Sequence, residues 1–231
     1  MRAGRRGMVA PARETGEKDG AMDIRDIMSR APVIPVITVP AHLDAVALAR
    51  TLVGNGLPVL EITLRTGAAL DAIAAIARAV PDAIVGGGTV RRGADLEALE
   101  EAGARFAVSP GLTCELAAAA RERTLPLLPG VATASEVMAA TDAGFSALKF
   151  FPAEAAGGVA ALRSFAGPFP DVVFCPTGGI RPATAPDYLA LPNVACVGGT
   201  WITPGDLLRA GAWESVAEMA RAARALAPAP A

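Results

Sequence analysis

The chain has 231 residues, 52% hydrophobic and 19% charged, which suits one large α/β domain or two small ones and excludes a disordered protein or a coiled coil. With 21 Lys and Arg against 23 Asp and Glu the net charge is −2, and aromatics make up 4%, so there is neither a basic field nor a stacking platform for nucleic acid. Mean hydropathy is +0.41, yet Pro, Gly, Asp or Arg breaks every apolar run before the roughly 18–20 residues of a membrane span, while three cysteines and one histidine, with no CxxC and no HxxxH, exclude a zinc cluster and a disulfide framework and point to a reducing, cytoplasmic setting.

Residues 1–21 mix Arg, Gly, Pro and charge without the apolar centre of a secretory signal and read as a disordered tail, with Met22 as an alternative start. One domain is expected over 22–227, followed by a frayed tail at 228–231. Inside it, eight β-branched or apolar runs start every 19 to 26 residues: Val33–Val39, Val59–Leu64, Ala83–Val85, Phe106–Ser109, Leu125–Leu128, Ala147–Phe151, Val172–Cys175 and Val194–Val197. Between them lie Ala-rich segments of helical period: Leu43–Val53, Ala68–Ala79, Asp95–Ala102, Cys114–Arg123, Ser135–Ala143, Val159–Phe165 and Thr184–Ala190. Asp44, Asp71, Glu115 and Glu136 fall in first turns, where negative charge suits the helix dipole. A final helix is expected over Trp213–Leu226. Alternating strands and helices of this number predict a single (β/α)8 TIM barrel. A doubly wound open sheet is the runner-up, but no GxGxxG follows the first run.

Barrel enzymes place their chemistry at the C-terminal strand ends. In Val59–Arg65 the period of two groups Glu61, Thr63 and Arg65 on one face and Leu60, Ile62 and Leu64 on the other. With the apolar face against helices, a carboxylate and a guanidinium point into the barrel, either as a plain ion pair or as a ligand site. In Ala147–Phe151 the same rule turns Lys149 inward, opposite Leu148 and Phe150. Lysine occurs twice in the whole chain, at 18 and 149; arginine supplies the remaining positive charge. An amine among apolar side chains is disfavoured in its protonated form and becomes a nucleophile near neutral pH, a service that guanidinium does not provide. A buried Lys149–Glu61 salt bridge without catalysis is the competing reading.

Glycine pairs follow the last two runs, Gly178-Gly179 and Gly198-Gly199, the second continued by Thr200. Backbone amides there suit a phosphate, which barrels commonly bind at this position. Gly86-Gly87-Gly88-Thr89 and Ser109-Pro110-Gly111 likewise combine open backbone with hydroxyls. His42 reads as a capping or solvated residue, and Cys175 and Cys196 as core filling.

The segments PVIPVITV (32–39), LEITLRT (60–66), AIVGGGTV (83–90), FAVSPGLT (106–113), LLPGVAT (127–133), ALKFFPAE (147–154), FCPTGGI (174–180) and VGGTWITP (197–204) together resemble the Schiff-base aldolases of 2-keto-3-deoxy-6-phosphogluconate (KDPG) and 4-hydroxy-2-oxoglutarate (KHG). The likeness spans residues 24–226. It implies that Lys149 forms the imine and Glu61 is the acid and base. Arg65 and Thr89 would hold the substrate carboxylate, Pro110, Phe151 and Thr177 line its pocket, and Gly178, Gly179, Gly199 and Thr200 bind its phosphate. It further implies a small 2-keto acid phosphate as substrate, no metal or organic cofactor, no nucleic-acid or membrane partner, and a homotrimer. Two departures stand out: Gly-Gly-Gly-Thr where the family reads Gly-Ala-Gly-Thr, and Thr200 where serine is common. The galactonate-derived substrate and a phosphosugar isomerase or epimerase on the same barrel are the alternatives.

Overall fold

The computed structural model describes residues 22–226; the tails expected at 1–21 and 228–231 lie outside them. Parallel strands and helices alternate along the chain. The strands are β1 (Val33–Ile37), β2 (Val59–Thr63), β3 (Ile84–Gly88), β4 (Ala107–Val108), β5, β6 (Ala147–Phe150), β7 (Val173–Pro176) and β8 (Val197–Gly199). Strand β5 comes in two pieces, Leu127–Leu128 and Gly130–Val131, on either side of Pro129. Proline has no N–H for a ladder, but the Pro129 carbonyl still accepts from Lys149 N at 2.8 Å. The first piece pairs with β4 and the second with β6, so the interruption does not open the sheet. Strand β1 joins both β2 and β8, and bridges Phe174–Val194 and Thr177–Gly198 link β7 to β8. The ring therefore closes into the expected barrel of eight.

Helices α1 (Ile24–Met28), α2 (Ala45–Gly54), α3 (Ala69–Ala79), α4 (Gly93–Glu101), α5 (Cys114–Arg121), α6 (Ala134–Asp142), α7 (Gly158–Phe165), α8 (Ala185–Leu189), α9 (Gly205–Ala210) and α10 (Trp213–Arg224) complete the described chain. Seven intervening helices and the closing one match the expected segments to within a few residues; α1 and α9 are additional. Asp44 is the cap of α2 rather than part of its first turn, its carboxylate accepting from Ala47 N at 2.8 Å. His42, expected to be a capping or solvated residue, is the latter: it sits exposed with φ at +65° two residues earlier.

Two apolar layers follow from strand alternation. Leu60, Ile62, Leu148 and Phe150 face outward into a layer shared with Leu48, Leu52, Ile73, Leu99 and Leu162 of the helices. Ile34, Val59, Ile84, Phe106, Leu128, Ala147, Cys175 and Cys196 form a separate cluster inside the barrel. Ile27 and Met28 of α1, both fully buried, belong to the inner cluster and stop the N-terminal end of the barrel. Helix α1 is held there by Arg25, whose Nη2 donates to the carbonyls of Ser146 (2.9 Å) and Asp171 (2.6 Å), just ahead of β6 and β7. Burying Ile27 and Met28 contributes about 1.5–3 kcal/mol each. With that end closed by hydrocarbon, polar groups inside the barrel are confined to the other end.

Candidate active site

Period-two geometry delivers Glu61 and Lys149 to the barrel interior, one step toward the C-terminal strand ends from Val59 and Ala147. Lys149 Nζ donates to Glu61 Oε1 at 3.2 Å, with the two side chains only 7% and 5% exposed. Glu61 Oε2 has no protein partner among the described residues. Lys149 is the only lysine among them, and its ammonium lies 5.3 Å from the centre of the Phe151 ring, near enough for the ring face to interact with the cation.

Room for the acid comes from β3. A Cβ at Gly88 would collide with the Glu61 carboxylate, so only glycine lets Glu61 lie across this strand. The triple glycine was expected as open backbone beyond a run ending at Val85. Instead Gly86, Gly87 and Gly88 are the paired end of β3, in register with Glu61, Ile62 and Thr63. Cβ atoms at Gly86 and Gly87 would strike Phe106 and Leu99. Their primary role is to admit neighbouring side chains. Thr89 follows with φ at +64°, half-buried at the rim.

One step above Glu61, Thr63 is buried and donates to the Ile37 carbonyl at 3.1 Å, with Thr38 Oγ1 also at 3.1 Å. Arg65 does not continue the inward face: β2 ends at Thr63, and Leu64 and Arg65 form a turn. Arg65 is exposed at the mouth and forms no ion pair or hydrogen bond among the described residues, so the Glu61–Arg65 pair that the alternation allowed does not form. Lys149 takes that place beside the acid. Pro110 is exposed after β4, and its carbonyl approaches so closely that a Cβ at Gly130 would overlap it.

Thr177 is buried just beyond β7, its hydroxyl packed where a Cβ at Gly198 would be. Gly178 and Gly179 follow with φ of +105° and +81°, the left-handed region that side chains avoid. Gly199 ends β8 beneath the Trp201 ring, and Thr200 is exposed beside it. The bridge between Thr177 and Gly198 brings the two glycine pairs together at one edge of the mouth. Cys175, in register with Lys149, and Cys196 remain core thiols; the Cys196 thiol is pushed well up by its hydrogen bond to Cys175 and by burial, which keeps it a poor nucleophile. A cleft of about 730 Å³ lined by Arg25, Phe169 and Asn193 opens at the opposite, N-terminal end, remote from this chemistry.

A buried lysine–carboxylate pair is a poor source of stability, because desolvation offsets much of its attraction. Placed at the C-terminal strand ends, with a free carboxylate oxygen and a rim of hydroxyls and left-handed glycines, it is instead equipped for amine and acid–base chemistry.

Comparison with known proteins agrees with that chemistry. The KHG/KDPG aldolase of Escherichia coli strain K12 is 52% identical over 206 residues, covering 89% of this chain and 97% of the relative. The 2-dehydro-3-deoxy-phosphogluconate aldolase of Pseudoalteromonas atlantica is 49% identical over 206 residues, 89% of this chain and 96% of its own. Among solved structures, the KDPG aldolase of Legionella pneumophila, with pyruvate captured at low pH as a covalent carbinolamine intermediate, superposes with a TM-score of 0.85 at 44% identity, covering 87% of this chain and 97% of that one. The model of the KDPG and KHG aldolases matches residues 24–219, and by that match and these identities the chain belongs to the KDPG and KHG aldolase family.

Proposed function

We propose that this protein is a class I aldolase that cleaves KDPG to pyruvate and glyceraldehyde 3-phosphate through an imine on Lys149. The observation that carries the reading is the contact of Lys149 Nζ with Glu61 Oε1 at 3.2 Å, directly above the apolar cluster that fills the N-terminal end of the barrel. Glu61 accepts a proton from Lys149 along that contact, and the freed lone pair attacks the C2 ketone. The attacking nitrogen passes a proton to the former ketone oxygen, giving a carbinolamine, and Glu61 returns its proton to that hydroxyl, which leaves as water and gives a protonated imine beside an ionised Glu61. Glu61 then removes the C4 hydroxyl proton, directly or through a water. The C3–C4 electron pair moves toward the imine, releasing the aldehyde and leaving an enamine. Proton return from Glu61 to C3 regenerates the imine, and hydrolysis frees pyruvate and Lys149.

Arg65, unpaired and exposed at the mouth, holds the carboxylate by charge-assisted hydrogen bonds, with Thr89 beside it. Pro110, Phe151 and Thr177 wall the keto acid. Gly178, Gly179 and Gly199 present backbone amides, and Thr200 a hydroxyl, to the phosphate; that distant grip supplies orientation. The gluconate-derived substrate is favoured over the galactonate-derived one because aldolases 49% and 52% identical to this chain are named for it, and KHG is a second substrate. We further propose a cytoplasmic homotrimer, for which sedimentation should give three times the 23.3 kDa chain mass. No described helix is long and apolar enough to cross a membrane.

Borohydride reduction in the presence of pyruvate tests the reaction class. A stable mass increase on the peptide holding Lys149 is expected. Intact, folded protein without that adduct would instead favour isomerisation by Glu61, with Lys149 a mere electrostatic partner.

A further inference from the structure

A second network lies outside the reacting pair, in the segment that leads from β6 into α7. Ala153 N donates to the Thr177 carbonyl at 2.8 Å and Glu154 N to the Gly178 carbonyl at 3.1 Å, so this turn segment runs beside the 177–179 loop and is tied to it. Glu154 folds its side chain over Gly179, where a Cβ would come within 2.7 Å of Glu154 Cγ and 2.8 Å of its Cβ. At the far end Glu154 Oε1 accepts a 2.9 Å hydrogen bond from the hydroxyl of Tyr188. Tyr188 is the chain's only tyrosine and is 1% exposed, wedged from α8 against the Gly158 turn. On the other side, a Cβ at Gly178 would touch the Phe151 ring at 3.3 Å.

Two glycines in left-handed geometry are conformationally free unless something confines them. A carboxylate laid over a loop meant for a phosphate would also repel its ligand, were it not engaged elsewhere. Both difficulties have one resolution. We infer that the Tyr188–Glu154 hydrogen bond is a brace that fixes the Gly178–Gly179 amides for the phosphate end of the substrate, making Glu154 and Tyr188 positioning residues for phosphorylated substrates. The inference rests on the reading above that places the phosphate at this loop. Burial first, and then the hydrogen bond and charge of Glu154, push the Tyr188 hydroxyl far above its ordinary range, so it stays a donor throughout the working pH.

The test compares Tyr188→Phe, Glu154→Ala and Glu154→Gln in the full chain, with Thr200→Val as reference. Three quantities are read: KM and kcat for KDPG, the inhibition constant of inorganic phosphate, and the pyruvate concentration giving half-maximal borohydride trapping on Lys149. Tyr188→Phe and Glu154→Ala should raise KM and the phosphate inhibition constant about fivefold, the scale of one lost hydrogen bond. Their kcat and pyruvate dependence should be unchanged. Glu154→Gln, whose amide oxygen accepts the same bond, should restore parental behaviour. An unchanged KM, a parallel loss of pyruvate trapping, or Glu154→Gln as impaired as Glu154→Ala overturns the brace. Glu154 is exposed, so its variants read the loop without cutting into the core. If phosphate does not compete in the parent and Thr200→Val leaves KM unchanged, the phosphate binds elsewhere and the brace falls with that placement. If both reference results hold and the Tyr188 and Glu154 variants are silent, the brace alone is wrong.

Discussion

The two ends of the barrel interior are built from the same alternating strands yet are opposites. At the N-terminal end Ile27, Met28, Ile34, Val59, Phe106 and their neighbours form a sealed hydrocarbon plug. One residue pair farther along the same strands, Val59 gives way to Glu61 and Ala147 to Lys149, and the interior becomes charged. Stability and chemistry are thus divided along a single axis, and substitutions at the two ends should fail in different ways.

The largest effect is expected at the charged end. Lys149→Met should lower kcat/KM by roughly 10⁴-fold or more, since it removes the covalent step itself, and Lys149→Arg should fare no better, because charge is kept and nucleophilicity is lost. Steady-state assays with circular dichroism as a fold control check both; an active Lys149→Arg would end the imine reading. Glu61→Gln should cost about 10²–10⁴-fold in turnover, the range of general acid–base catalysis. Pyruvate should still be trapped on Lys149, more slowly. At the plugged end the signs reverse. Met28→Ala should lower unfolding free energy by about 2–5 kcal/mol through a core cavity, while the folded fraction keeps its kcat. Denaturant titration and activity per folded molecule separate the two, and a kcat that fell with Met28 would erase the proposed division.

How much of this was legible depends on which residue property mattered. The inward turn of Glu61 and Lys149 followed from a period of two within five or six residues, and it held because Leu60, Ile62, Leu148 and Phe150 have helices to pack on. The same rule stopped working at Arg65, where β2 had already ended and Arg65 left the inward row. Strand β8 was placed three residues early, since the apolar run Val194–Val197 looked more strand-like than Val197–Gly199; its glycines pair with β1 because Thr177 and the Trp201 ring fill the space where Cβ atoms would stand. Close approaches of that kind belong to residues distant in sequence and leave no local signature. Glu154 and Tyr188 are a further case, separated by 34 positions. The visible signal was only that Glu154 lies in the ALKFFPAE segment and that the chain holds one tyrosine.

The smallest effect lies away from both ends, at the start of α6, and it carries a pH signature. Thr133 and Glu136 form a capping box: Glu136 N donates to Thr133 Oγ1 at 3.3 Å, while Glu136 Oε2 accepts from Ala132 N at 2.7 Å and Thr133 N at 2.9 Å. The Ala132 amide is the largest influence on the carboxyl and holds it below its usual range of 4.5, against the upward push of its modest burial. Because the folded value is the lower one, the stabilisation is complete above the unfolded value near 4.5 and is lost as pH falls through the depressed folded value. Thr133→Ala should cost about 1 kcal/mol. Glu136→Gln should be destabilised relative to the parent near pH 7, and the gap should narrow as acid protonates the parent's carboxyl. Denaturant midpoints measured at pH 7 and again below pH 4 decide it, and a gap that widened in acid would mean the carboxylate is not what the Ala132 and Thr133 amides require.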